Sequence, residues 1–79
     1  MFLEIISPEK TIYSGNIVLV QLPGKELGSF EILNNHAPIM ALLDKGKAKI
    51  IDENRKLFYL DLDEGIVEAK NNKIKILIS

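Results

Sequence analysis

The sequence predicts an all-β fold, a β-sandwich or flattened barrel, for one domain that spans residues 1–79. Twelve Ile and eleven Leu stand against only four Ala, and this Ile-rich composition favours pleated sheets over helices. Turn residues punctuate the chain about every eight to twelve positions, a spacing typical of sandwiches and barrels. No window of ten or more residues has apolar positions at helical spacing without Gly or Pro, so no helix of ordinary length is expected.

The N-terminal half predicts three strands in succession. Residues 2–6 form a short apolar run that Ser7 and Pro8 should end, and residues 10–14 form a second run that Gly15 should end. Residues 16–22 are apolar on both faces up to Pro23 and Gly24, which predicts a strand that is covered on both sides and more buried than the others.

The C-terminal half predicts two antiparallel hairpins. Residues 46–51 and 56–62 alternate in polarity on either side of a polar four-residue loop. Residues 65–69 lead through Asn71 and Asn72, which tolerate the positive φ angles of a tight turn, into a final strand at residues 73–78. In that strand Ile74, Ile76 and Ile78 occupy one face, which is the period of a half-buried strand.

Composition excludes several classes of function. The chain has no Cys, which removes disulfide frameworks, thiolate zinc sites and cysteine nucleophiles and fits a reducing compartment. Ten basic and eleven acidic residues give no overall charge that would favour nucleic acid. The N-terminus lacks the pattern of a signal peptide, and the longest apolar run, residues 37–43, is far shorter than the about 20 residues of a spanning helix. No direct membrane insertion is expected.

Catalytic and ion-binding patterns are weak. His36 is the only His, and a triad with Ser29 and Glu31 can be written down, but a loop His without structural context is more often structural. Asp61, Asp63 and Gly65 resemble the start of a calcium loop, but the far ligand position near residue 72 carries no acid. We interpret this segment as a solvated acidic turn, and we expect no metal, no cofactor and no catalytic residue.

The segment around Lys45 and Lys47 suggests an alternative hypothesis for the function of the chain. The segment at residues 43–48, in an all-β domain of this size, weakly resembles the tip of a lipoyl or biotinyl carrier domain, which displays one lysine on a hairpin for modification. Gly46 interrupts that pattern, and a charged turn is the simpler interpretation.

A series of short motifs resembles the epsilon subunit of F-type ATP synthases. The series follows the family's order and spacing over essentially the whole chain, and its most specific part is His36, Ala37 and Pro38 after a Gly-x-Phe-x-Ile-Leu strand. The motifs lie at residues 6–9, 12–15, 22–24, 28–39, 46–50 and 65–69.

The resemblance implies a ten-stranded β-sandwich and a non-catalytic rotor role. In that family the subunit joins the gamma subunit at the foot of the central stalk and rests on the ring of c subunits. It thereby couples ring rotation, driven by protons, to the alpha and beta subunits of the catalytic head. The implied location is peripheral, on the cytoplasmic side of the bacterial inner membrane.

The resemblance also implies which residues contact the partners. The family's ring-contacting segment maps onto residues 28–36, where its usual pattern is Gly-Glu-Phe-Gly-Ile-Leu-Pro-Gly-His. The chain departs from it at four positions, and Ser29 cannot form the ion pair that a Glu would form. We expect His36 to have a structural role near the junction of gamma and the ring. The expected interface residues are Gly28, Ser29, Phe30, Glu31, Asn34, Asn35, His36 and Pro38.

Family members usually continue into a C-terminal helical hairpin that inhibits ATP hydrolysis and in some members binds ATP. The sequence stops at Ser79, before that hairpin. The chain is then either a naturally short member or a piece of a longer one, and the Met1 start and the complete last strand favour the former. We expect hairpin-based inhibition and ATP sensing to be absent.

Overall fold

The computed structural model describes residues 1–79 and consists of eight strands joined by turns, without a helix. This confirms the predicted all-β class. None of its segments forms a helix with the length and hydrophobicity that a bilayer crossing requires. The strands are β1 (Phe2–Ile6), β2 (Thr11–Gly24), β3 (Gly28–Leu33), β4 (Ile39–Leu43), β5 (Gly46–Asp52), β6 (Leu57–Leu62), β7 (Gly65–Lys70) and β8 (Lys73–Ile78).

The long strand β2 organises the sandwich because it belongs to both layers. Its first half pairs with β1, and through β1 with β8, β7 and β4, and these strands form the first sheet. Its second half pairs with β3 on one side and β5 on the other, and β6 extends this second sheet beyond β5. One bridge between Gly24 and Leu43 joins β2 to β4 and closes the first sheet into a flattened barrel.

Two irregularities interrupt the pairing of β2, one near its start and one where it passes between the layers. The pairing register with β1 shifts between Ile5 and Ile6, and the register with β5 shifts beside Val18. Extra residues of this kind increase the local twist and bend the strand that carries them. The family resemblance implies ten strands, whereas the structure has eight, and one of these, β2, serves both sheets.

The prediction that Gly15 ends a strand is wrong, because β2 continues through it. Gly15 pairs with Leu3 of β1 within the ladder, and the Tyr13 hydroxyl lies 3.1 Å from the position that a Cβ would take. The side chain of Tyr13 covers the glycine, so the residue marks a close approach instead of a turn.

A single apolar core fills the space between the two layers. It contains fifteen buried residues, and no polar or charged side chain is buried with them. Ile74, Ile76 and Ile78 face it from β8, as their period predicted. Ile17, Val20 and Leu22 face it from β2, whereas Val18 and Leu19 are only half-buried, so the expectation that residues 16–22 are covered on both sides is wrong.

The turns gather at two opposite ends of the sandwich. We call one the asparagine end; it comprises Met1 and the turns at residues 34–38, 52–56 and 71–72. We call the other the Ser79 end; it comprises the turns at residues 7–10, 25–27, 44–45 and 63–64 together with Ser79. The strand registers place every turn at one end or the other.

Candidate functional site

The predicted interface residues begin on β3, an edge strand that pairs only with β2. Its side chains alternate: Ser29, Glu31 and Leu33 are exposed on the outer face, whereas Ile32 is buried in the core. Phe30 is half-buried and packs against the core from the same inner face as Ile32. Phe30 therefore supports the strand from inside, and only its neighbours are available to a partner.

Ser29 and Glu31 lie on the same face of β3. Residues two apart on a strand are separated by about 7 Å and point to the same side. The carboxylate that the family pattern places at position 29 is thus offered by Glu31, one pleat further along the same surface. Across the ladder Ser29 faces Pro23 and Glu31 faces Gln21 on β2, and no ion pair occupies Glu31.

Gly28 begins β3 with a φ of +73°, in the left-handed region that glycine adopts without strain. It pairs with Gly24 at the tight turn between β2 and β3. A Cβ on Gly24 would lie 2.6 Å from the Gly28 carbonyl oxygen and 2.9 Å from the Phe30 ring. Gly24 is therefore required by the close approach of the Gly28 backbone and the Phe30 ring, whereas Gly28 is favoured by its positive φ alone.

The loop that follows β3 is held in place by the turn between β7 and β8. The Asn35 amide donates a hydrogen bond to the side-chain oxygen of Asn72 at 2.9 Å, and the Asn72 side-chain nitrogen donates one to Asn34 at 2.7 Å. Asn35 has a φ of 62° and Asn72 a φ of 61°. Asn is the residue after Gly that best tolerates this region, so the sequence departure at position 35 keeps the backbone path.

His36 lies in this loop with its ring directed to its own neighbour. Its amide donates to the Leu33 carbonyl at 3.1 Å, and its Nδ1 lies 2.6 Å from the Ala37 carbonyl oxygen. Both His36 and Pro38 are exposed. The exposed His36 ring is therefore accessible to a partner.

The predicted interface residues do not form one compact surface. Gly28 and Ser29 lie toward the Ser79 end, whereas Asn34, Asn35 and His36 lie at the asparagine end. β3 is six residues long, and its length from Gly28 to the Asn34 loop is about 20 Å. A partner that contacts all of them must run along the β3 edge, or two partners must divide them.

The geometry does not support the triad of Ser29, Glu31 and His36. Ser29 has no hydrogen bond to His36, whose ring nitrogen is engaged with Ala37. The two residues stand at different ends of the same extended strand and its loop, too far apart for proton transfer. No group of three His, Cys, Asp or Glu side chains is close enough to hold a metal ion.

Two carboxylates of the acidic segment at residues 61–65 each form an ion pair with a different lysine. The Lys47 Nζ lies 2.6 Å from Asp61 Oδ1, and the Lys25 Nζ lies 2.9 Å from Glu64 Oε2. The hydrogen bond and the charge of Lys47 hold the pKa of Asp61 below its usual value, and Lys25 does the same for Glu64. These contacts fit the interpretation of the segment as a solvated turn.

Lys45 and Lys47 are not displayed on a hairpin tip. β4 pairs with β7 while β5 pairs with β2 and β6, so the connection at residues 44–45 crosses between sheets. Lys47 lies within β5 and is bound to Asp61. The geometry of a carrier domain, one free lysine at the turn of two paired strands, is absent.

The outer face of the first sheet exposes an apolar surface that the sequence analysis did not locate. We call it the apolar face; it comprises Leu27, Met40, Leu42, Ile66 and Leu77. Leu42, Ile66 and Leu77 form one cross-strand row, because Leu42 pairs with Ile66 and Ile66 with Leu77. Met40 is 64% exposed, and a groove of about 380 Å³ runs beside it, lined mainly by apolar side chains. The signal in the sequence is the run Ile39 to Leu43, which is apolar at outward as well as inward positions.

The second sheet carries a smaller apolar row at the asparagine end. Leu33, Leu19, Ile51 and Leu57 pair in that order across β3, β2, β5 and β6. Leu19 and Ile51 are half-buried, and only the outer two side chains are about half exposed. Glu31, Gln21, Lys49 and Tyr59 form the next row, in which only Tyr59 adds an exposed apolar surface.

Comparison with known proteins gives a consistent family. The domain family described as the ATP synthase delta/epsilon chain β-sandwich domain matches residues 1–79. An ATP synthase epsilon chain from Lawsonia intracellularis is 42% identical over 77 residues, which is 98% of this chain and 56% of that one. One from Leptospira interrogans is 45% identical over 74 residues, covering 94% of this chain and 57% of that one. The chain therefore spans a little over half the length of these relatives.

Solved structures share the fold at low sequence identity. A chain of the Euglena gracilis mitochondrial ATP synthase, from an assembly of OSCP, F1 and c-ring, superposes with a TM-score of 0.85 at 15% identity. That match covers 96% of this chain and 48% of the other. A chain of the Tetrahymena thermophila central stalk and c-ring superposes with a TM-score of 0.76 at 19% identity, covering 99% and 62%.

Proposed function

We propose a rotor function for this chain, because it belongs to the family of ATP synthase delta/epsilon chain β-sandwich domains. It joins the gamma subunit at the foot of the central stalk of a proton-translocating F-type ATP synthase and rests on the c-ring. There it transmits torque from the ring through gamma to the alpha and beta subunits of the head, and it performs no catalysis itself. The complex places it peripherally, on the cytoplasmic side of the bacterial inner membrane.

The observation that carries this proposal is the combination of a core of fifteen buried apolar residues, with no polar side chain among them, and an exposed apolar face. Close-packed protein interiors have low compressibility and transmit strain. Monomeric proteins rarely leave a contiguous apolar patch exposed, and such a patch marks an interface. A torque coupler needs both properties, and it needs no reactive pocket.

The gamma subunit docks on the apolar face. The row of Leu42, Ile66 and Leu77, together with Met40 and Leu27, offers the apolar centre that an interface between permanently associated subunits requires. The other sheet exposes fewer apolar side chains, since only the two outer members of its apolar row are exposed. The face with more exposed apolar side chains is therefore assigned to the partner with the larger contact.

The predicted interface residues are divided between two partners. Gly28, Ser29 and Glu31 on the β3 edge face the loops of the c-ring, with Ser29 as a hydrogen-bonding group and Glu31 as the charged one. Asn34, Asn35, His36 and Pro38 lie at the other end of the strand and face the junction with gamma. Phe30 contributes from inside by fixing the strand on which the ring contact lies.

Co-purification from native membranes tests the proposal. A tagged full-length subunit is expressed in its host, recovered from detergent-solubilised membranes, and its partners are identified by mass spectrometry. We expect gamma, c, alpha and beta in constant proportions with the wild type. Leu42→Glu should lose gamma, whereas the matched control Leu57→Glu, which is similarly exposed on β6 of the other sheet, should retain it. Recovery without gamma from complexes shown to be intact would contradict the proposal.

A further inference from the structure

The fold separates charges that the sequence mixes. The chain as a whole has a formal charge of −1, yet its two ends differ in sign. In the turns of the asparagine end, or in the strand positions beside them, lie the basic residues Arg55, Lys56, Lys70 and Lys73 and the acidic residues Asp52 and Glu53. In the turns of the Ser79 end, or in the strand positions beside them, lie the acidic residues Glu9, Glu26, Asp44, Asp61, Asp63 and Glu64 and the basic residues Lys10, Lys25, Lys45 and Lys47. The sandwich is therefore positive at the asparagine end and negative at the Ser79 end.

Lys70 and Lys73 are the uncompensated part of this positive end. They stand directly opposite each other as the last pair of the β7–β8 hairpin. Like charges at such a position destabilise a sheet. Both side chains are exposed, and neither has a carboxylate within ion-pair distance, since the two ion pairs of the chain lie toward the Ser79 end.

The next lysine along the strand shows the contrast. Lys75 has Glu68 opposite it on β7 and Glu4 opposite it on β1, so acidic residues flank it on both sides. Lys73 has Lys70 on one side and Phe2 on the other. The pairing of opposite charges thus stops one pleat before the turn.

No acidic residue forms an ion pair with Lys70 or Lys73. Asp52 uses its side-chain oxygen to accept hydrogen bonds from the amides of Asn54 and Lys56, both at 2.9 Å, and so caps its own turn. Glu68 lines the same shallow polar groove as Lys70 and Lys73, but it faces Lys75 across the ladder. The groove contains no apolar side chain.

The turn between the two lysines is built to hold its shape. Asn71 and Asn72 both have positive φ, at 53° and 61°. Asn72 accepts the Phe2 amide on its carbonyl and the Asn35 amide on its side chain, and it donates to Asn34. The two ammonium groups therefore project from a turn that is fixed to the loop carrying His36.

We propose that Lys70 and Lys73 bind an acidic segment of a protein partner at the asparagine end. Two carboxylates of the segment would occupy the polar groove and remove the repulsion that the free hairpin carries. The proposal rests on the proposed function, because the partner is a subunit of the same complex.

Charge reversal in the assembled system tests this proposal. The full-length subunit is removed from purified host ATP synthase, and fluorescently labelled variants are titrated back at 50 and 300 mM salt. Lys70→Glu with Lys73→Glu should weaken binding about tenfold or more at low salt, and the deficit should shrink at high salt because screening weakens exposed charge pairs. Lys10→Glu with Lys45→Glu makes the same change in net charge at the other end and should bind within about twofold of wild type.

A single substitution separates recognition from folding. Lys70→Glu places an opposite charge across from Lys73, so the free subunit should melt at a higher temperature while its affinity for the depleted complex falls. A structural role for the lysines would move both quantities in the same direction. Lower affinity with a lower melting temperature, or unchanged affinity of the double variant at low salt, would overturn the proposal.

Three further outcomes distinguish failure of the proposed function from failure of the acidic-segment proposal. If wild-type subunit does not bind the depleted complex, the proposed function fails first. If wild type and double variant bind the complex equally, only the acidic-segment proposal fails. If the double variant loses binding to vesicles of anionic phosphatidylglycerol and keeps its affinity for the complex, the partner is a membrane surface and the proposal is wrong.

Discussion

The Asn35 amide donates a hydrogen bond to the side-chain oxygen of Asn72, 37 positions away in sequence, at 2.9 Å. Through this contact the β7–β8 turn holds the β3–β4 loop, and the same asparagine also donates to Asn34. Two turns that the sequence presents as separate are therefore one unit at the end of the sandwich. The proposed partner contacts at this end depend on that unit.

Asn72→Gly should loosen the β3–β4 loop with little change in the turn. Glycine keeps the positive φ but removes both side-chain hydrogen bonds. Each such exposed hydrogen bond contributes at most about 0.5 to 1.5 kcal/mol to the free energy of unfolding. We expect faster hydrogen exchange at the Asn35 amide and a small loss of stability toward urea. Asn71→Gly is the control, since Asn71 shares the φ region but makes no side-chain bond to the loop. Equal exchange rates at Asn35 in the two variants would contradict the assignment.

Gly65→Ala should destabilise the fold strongly. A Cβ there would collide with the Leu77 carbonyl oxygen, and it would lie 3.0 Å from Ile78. Overpacking of this kind costs about 1 to 3 kcal/mol, and here the obstacle is backbone that cannot rotate away. The free energy of unfolding in urea measures the loss. Gly28→Asn is the matched control, because no atom lies within 4 Å and Asn tolerates the φ of +73°; it should change stability much less.

The apolar face should contribute little to folding. Leu42 is 52% exposed, so Leu42→Ala should change the free energy of unfolding by no more than about 0.5 kcal/mol. Ile76→Ala, at a fully buried position, should cost about 2 to 5 kcal/mol. Urea denaturation of both variants provides the comparison. A large loss for Leu42→Ala would mean that this surface is part of the folding core, and its assignment to a partner would fail.

Two ion pairs predict how the free energy of unfolding depends on pH in the acidic range. Lys47 lowers the pKa of Asp61 from an ordinary value of 3.8, and Lys25 lowers that of Glu64 from 4.5, in each case mainly through the hydrogen bond. A carboxyl whose pKa is lower in the folded state stabilises the fold above its ordinary pKa. That contribution is lost as the pH falls through the folded value.

We therefore expect stability to decline below about pH 4.5, from the ordinary pKa of Glu64 downward. Lys25→Met with Lys47→Met should flatten that decline, whereas Lys10→Met, which has no acidic partner, should leave its slope unchanged. Melting temperature between pH 3 and 6 is the measurement. An unchanged slope in the double variant would show that other carboxyls dominate.

Local sequence patterns predicted the elements whose pairing is local. The β5–β6 and β7–β8 hairpins lie where alternation and the Asn71 and Asn72 turn placed them, because adjacent strands joined by a short turn have only one antiparallel solution. The uninterrupted course of β2 through Gly15 could not be predicted, since it depends on β1 and on the ring of Tyr13, both supplied by the tertiary structure.

The candidate site was predicted as one continuous segment of the sequence, but its residues lie at two ends and on two faces of the sandwich. Alternation along β3 turns Phe30 inward, and the length of the strand separates Ser29 from His36. The sheet that carries the apolar face and the charge difference between the ends were not predicted. Both arise from residues of different strands that only the sheet registers bring together.

Proton pumping by the reconstituted complex tests the central claim most directly. Host ATP synthase is depleted of this subunit, placed in vesicles, and supplied with ATP while the internal pH is followed with a fluorescent dye. A rotor subunit that couples ring and gamma should be required, so pumping should fall on depletion and return when the full-length wild-type subunit is added. Leu42→Glu should fail to restore it. Pumping that persists undiminished in complexes shown to lack the subunit would contradict the account.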